Sequence, residues 1–183
     1  LAKIDREQAN VQLAQERVLM PGFPIPELAV EITDYLTLYW RHRHTNTQQL
    51  LNWLTQACQL AERTNQQNSR ANLLQAIGDI QAFCDQRDQA LRSYERALEL
   101  FTAIGDRLGQ ANTLKAIGDV QAFHDQHAQA LDSYERALAL FTTIESKLGQ
   151  ANTLKAIGDI RTFHDQHGQA LKKYEHALEL FTA

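Results

Sequence analysis

The chain has 183 residues, 44% of them hydrophobic, and a net charge of −4 at neutral pH, which suits one elongated domain with a continuous core. Charge is spread evenly with no basic stripe, and no apolar run approaches the roughly 18 residues of a membrane span, so neither nucleic acid nor a membrane is expected as a partner. Two cysteines, Cys58 and Cys84, make no disulfide framework and fit a reducing cytoplasm, the expected location.

Residues 1–20 predict a polar amphipathic helix with Leu1, Ile4, Val11 and Val18 on one side. The PGFPIP stretch at 21–26 breaks the chain, because no helix runs through that density of proline and glycine. Residues 27–70 then predict a helical hairpin, Glu27 to about Arg41 and Thr45 to Asn65. The aromatics Tyr35, Tyr39, Trp40 and Trp53 in it predict a cap or a junction. Arg41-His42-Arg43-His44 is a short basic run that complements a helix C-terminus.

From Ala71 onward the chain repeats itself with a period of 40 residues, at 71–110, 111–150 and, shortened, 151–183. Counting the same period backwards aligns Leu54, Ala57 and Leu60 with Tyr94, Ala97 and Leu100, so residues 31–70 of the 27–70 hairpin are a degenerate repeat. Cys58 aligns with Leu98 and Leu138 and is expected as a buried small hydrophobe, whereas Cys84 aligns with His124 in a turn. A fixed period in this range is the mark of a solenoid, one supersecondary unit stacked on the next. The last copy stops before its SKLGQ connector and the first residue is Leu rather than Met, which leads to the expectation of a longer parent protein.

Around the 111–150 copy, Leu108, Ala111, Leu114, Ile117 and Gly118 recur at helical steps over a stretch from Arg107 to about His124. Ala130, Leu131, Tyr134, Ala137, Leu138 and Phe141 do the same over His127 to Ile144. Only Asp125-Gln126 separates the two stripes, so the helices must be antiparallel, with Asp125 expected as N-cap of the second. Gly105 predicts a left-handed helix end and Asp106 the next N-cap; in the following copy these become Glu145 and Ser146. Gly78, Gly118 and Gly158 lie inside the first helices, where glycine costs about 1 kcal/mol against alanine, so close packing is expected there. Ala130 and Ala137 are the expected facing residues of Gly118.

Leu114, Ile117, Gly118, Ala130, Tyr134, Ala137 and Leu138 stand at the spacing of the tetratricopeptide signature, and the repeat resembles that family in its 40-residue form. It is similar to the repeats of kinesin light chains, Pins-type scaffolds and bacterial signalling proteins. Gln121 replaces the usual aromatic or leucine, and the terminating proline is missing. The resemblance implies an all-α, right-handed superhelical solenoid of antiparallel helix pairs. It also implies a non-catalytic protein-interaction module, a segment of a larger bacterial signalling protein, whose first helices line a concave groove for an extended or helical peptide.

Under that implication the groove-facing candidates are Asn72, Gln75 and Asp79, then Asn112, Lys115 and Asp119, then Asn152, Lys155 and Asp159. The bland reading of the same residues is that Lys115 and Asp119 simply pair within their helix, worth a few tenths of a kcal/mol. His124-Asp125-Gln126-His127 and His164-Asp165-Gln166-His167 invite a metal reading, but Arg87 interrupts the pattern in the first copy, and solvated turns account for both. Carboxylates that recur as surface ladders give no acid–base pair in a closed pocket, so no catalytic residue, cofactor or metal is expected. The partner is expected to be a protein or peptide. The alternatives are an architectural solenoid that self-associates, including a homodimer through uncapped ends, and, behind both, a metal or small-ligand sensor at the histidine turns.

Overall fold

The computed structural model describes residues 47–182. The predicted helix at 1–20, the break at 21–26 and the first helix of the 27–70 hairpin lie outside the described residues. Seven helices follow one another: α1 (Thr47–Arg63), α2 (Gln67–Phe83), α3 (Arg87–Ile104), α4 (Arg107–Phe123), α5 (His127–Thr143), α6 (Lys147–Phe163) and α7 (His167–Thr182). No strand occurs among the described residues, and no described helix is long and apolar enough to cross a membrane. The all-α solenoid expected from the period is what the chain forms.

The helices pair as α2–α3, α4–α5 and α6–α7, and each second helix then packs on the next first helix. First helices also touch one another, α2 to α4 and α4 to α6, while no comparable contact joins α3 to α5 or α5 to α7. The stack is therefore tighter on the first-helix side, which makes that side the inner one.

The core is a ribbon of repeated clusters. Ala111, Leu114, Ala137 and Phe141 form one, and Ala130, Tyr134, Ile157 and Ile160 join α5 to the following α6. Phe101 and Phe141 are fully buried, each worth about 1.5–3 kcal/mol of apolar burial. They fit because Gly109 and Gly149, in the first turn of the next helix, leave room for their rings. The LGQ segment expected as connector thus begins α4 and α6 and forms the joint between repeats. In the degenerate copy, Trp53 is buried with Leu50, Leu54, Leu73, Ile77 and Ile80. Cys58 is only partly buried; burial raises its thiol pKa, partly offset by the Arg70 guanidinium.

Two local expectations are corrected. Asp125 is not an N-cap: it has φ +59°, in the left-handed region, and Gln126 precedes α5 without a side-chain capping bond. Gln126 N–H instead reaches back to Gln121 O at 2.9 Å, closing a Schellman-type turn in which Asp125 takes the place usually given to glycine. Asp85 and Asp165 do the same, and aspartate tolerates that conformation better than most residues. Second, Gly118 faces an aromatic ring rather than the small residues Ala130 and Ala137: a Cβ there would meet Tyr134 at 2.6 Å. The caps at Asp106 and Ser146 form as expected, accepting from Gly109 N–H (3.0 Å) and Gly149 N–H (3.4 Å).

Candidate peptide-binding face

The nine candidates stand on the first helices at equal helical steps, three each on α2, α4 and α6. Asn112, Asn152, Lys155, Asp119 and Asp159 are exposed, while Asn72, Gln75, Asp79 and Lys115 are half-buried. The aspartates are tied down by their own repeats. Tyr134 O–H donates to Asp119 Oδ1 at 2.8 Å, and Lys115 Nζ donates to Asp119 Oδ2 at 2.8 Å. Tyr174 and Lys155 hold Asp159 in the same way at 2.9 and 2.8 Å, and Tyr94 holds Asp79 at 2.8 Å.

This triplet has a packing origin. Gly78, Gly118 and Gly158 let the tyrosine rings lie against the first helices, and the ring length then brings each hydroxyl to the aspartate one residue further on. Burial, reinforced by the Asp119 carboxylate, pushes the Tyr134 hydroxyl well above its ordinary range, and the Asp159 hydrogen bond raises Lys155. The helical Lys–Asp pairing is therefore realised on α4 and α6, where it forms a nearly neutral Lys–Asp–Tyr ladder. Gln75 stands in the lysine position on α2, and its side-chain amide lies 3.2 Å from the buried Thr113 hydroxyl across the repeat joint.

Asp79 and Asp119 share a cleft of about 260 Å³ between α2 and α4, with Ala82, Ala116 and Val120 among its apolar lining and Arg87, Phe123 and His124 also bordering it. Its chemistry is mixed, an apolar floor with carboxylates and donors around it. That suits one side chain of a bound segment better than a reacting small molecule. Another recess, of about 490 Å³, lies among Glu95, Leu98, Gln129 and Arg136 and includes none of the nine candidates.

Phe83, Phe123 and Phe163 form a row that sequence reasoning passed over, 88%, 77% and 67% exposed at the C-terminal ends of the first helices. The signal was present: a large apolar residue recurring every 40 positions and lying off the core stripe. Gln121 accepts from Ser133 O–H at 2.8 Å, and Gln81 from Ser93 O–H at 2.7 Å, so a polar cross-link joins the paired helices at this position. Among the described residues, no group of three or more His, Cys, Asp or Glu is arranged to hold an ion.

Helix pairs stacked with their first helices inward define a repeat scaffold of the protein-interaction class. A family model described as Tetratricopeptide repeat matches residues 69–143 and again 126–183, and the chain belongs to that family. No curated protein sequence matches it significantly. Among solved structures it is similar to BtubC (BKLC) from P. vanneervenii, at 15% identity and TM-score 0.81, over 98% of this chain and 74% of that one. It is similar to the apo form of RapI, at 12% identity and TM-score 0.80, over 94% and 62%. It also resembles a Rap protein complexed with Competence and Sporulation Factor, at 15% identity and TM-score 0.74, over 97% and 51%. At these identities the likeness is one of fold, a fold that typically serves as a non-catalytic scaffold.

Proposed function

We infer that the chain is a non-catalytic scaffold segment of a larger bacterial signalling protein, binding an extended or helical peptide along the inner face of α2, α4 and α6. The observation that carries this reading is the continuous first-helix face. Asn72, Asn112 and Asn152 recur along it, the Lys–Asp–Tyr ladder runs beside them, and a side-chain-sized cleft opens between repeats. Asparagine amides supply both donors and acceptors to a peptide backbone, while the cleft and the Phe row supply apolar contact. The Rap protein complexed with Competence and Sporulation Factor adds an example of this fold holding a partner. A displayed peptide library selected against the chain tests the proposal. Enriched peptides should lose binding to an Asn112→Ala/Asn152→Ala variant; equal binding to the variant contradicts the assignment of the face.

Self-association is the second reading, favoured by the exposed stacking face of α7, whose counterpart on α5 packs against the following helix. Leu171, Leu178 and Phe181 are 57%, 63% and 52% exposed there, whereas the equivalent Phe141 on α5 is buried. Light scattering at two concentrations separates the readings, because a dimer built on this face must dissociate on dilution.

A further inference from the structure

The turns of successive helix pairs meet along one edge, and its two joints are built differently. At the first, His124 of the α4 end reaches back to Asp85, Nε2 to Oδ1 at 3.4 Å, and Arg87 borders the same cleft. At the second, His164 Nε2 lies 3.0 Å from His127 Nδ1, with the rings at 86° and their centroids 4.9 Å apart. Phe163 closes on His127 edge-on at 4.5 Å, and only 12% of the His127 side chain is exposed. The residue that distinguishes the joints is His127, which stands where the preceding copy has Arg87.

The charged groups around the pair are accounted for. From the α4–α5 turn, Asp125 Oδ1 stands 3.8 Å from His127 Nε2. On α6, Asp159 is held by Lys155 and Tyr174, and Arg161 donates to Gln166. In the α6–α7 turn, Asp165 faces His167 at 3.8 Å. The two imidazole nitrogens point at each other rather than converging on a third point, so the pair is arranged to share a proton.

Such a contact needs one donor and one acceptor. Two neutral rings supply both. One added proton keeps the contact, an imidazolium donating to an imidazole, with Asp125 facing the far nitrogen of His127. A second proton removes the acceptor and sets two like charges about 3 Å apart. The unfolded chain bears no such repulsion, so at acid pH the closed joint binds fewer protons than the open one, and its stability falls as pH falls. At the first joint His124 meets the Asp85 carboxylate rather than a second imidazole, so no like charges are set together there.

We propose that His127 and His164 form a proton-operated latch between the second and third helix pairs. Acidification weakens this joint, which the buried cluster of Ala130, Tyr134, Ile157 and Ile160 still holds, and spares the first, so the solenoid loosens at one defined place.

Amide hydrogen exchange on the full chain, corrected for intrinsic rates, reads this directly. Between pH 7.5 and 5, protection of α6 itself should fall roughly tenfold, about the size of one hydrogen bond, while that of α4 should not fall. His164→Gln should leave α6 protection independent of pH. A pH-independent α6 protection in the wild type, or the same fall in His164→Gln, overturns the proposal. A nitrogen–nitrogen scalar coupling between His127 and His164 at neutral pH, lost at pH 5, is the second readout; its absence at neutral pH also overturns it.

Discussion

Gly118 and Gly105 are both glycines, for unrelated reasons. Gly118 leaves space for the Tyr134 ring, which is pinned by Asp119 and cannot swing away, while Gly105 has φ +76° and open space, with nothing within 4 Å of where a Cβ would stand. Gly118→Leu must displace the ring and is expected to cost about 3 kcal/mol or more, the upper end of overpacking. Gly105→Ala meets only left-handed strain, about 1 kcal/mol. Urea denaturation of the two variants checks this, and equal losses would contradict the assigned register. Tyr134 adds a pH signature. Its folded-state pKa is raised, so its contribution is complete below the unfolded value of about 10 and is lost as pH rises beyond it. Tyr134→Phe should cost about 0.5–1.5 kcal/mol at neutral pH and flatten the fall in melting temperature above pH 10. An unchanged alkaline slope would show that the hydroxyl is not held.

At the scale of the element, the helix positions were legible because the apolar stripes recur at three- and four-residue steps, and the structure places α4 and α5 within a residue of them. What was not legible follows from shared chemistry. Aspartate before a helix reads as an N-cap, yet the same residue tolerates a left-handed helix end, and Asp125 takes that second role. The Tyr–Asp bond was missed because it joins residues 15 apart across two helices, and nothing in a single-helix pattern reports it. The Phe row was missed because attention to the core stripe passes over apolar residues that lie off it. Glu145 provides a test at this scale: it has φ +55° where the preceding copy has Gly105. Glu145→Gly should stabilise the chain by about 0.5–1 kcal/mol, relief of left-handed strain less the added freedom of the unfolded chain. Destabilisation measured by the same urea titration would mean that Glu145 makes a contact worth more than its strain.

Across the whole molecule, the Lys–Asp–Tyr ladder decides which partners the inner face refuses. A peptide C-terminal carboxylate would need Lys115, which already donates to Asp119, and would sit beside that aspartate as a like charge. Acidic C-terminal peptides should therefore show no saturable heat in calorimetric titration. Saturable binding lost in Lys115→Ala would reverse this view of the face. The most direct test of the scaffold reading is the amide chemical-shift footprint of a library-selected peptide on the full chain. It should trace one stripe through Asn112, Lys115, Asp119, Asn152, Lys155 and Asp159, extending to Phe123 and Phe163. A footprint confined to α3, α5 or the exposed stacking face of α7 would contradict it.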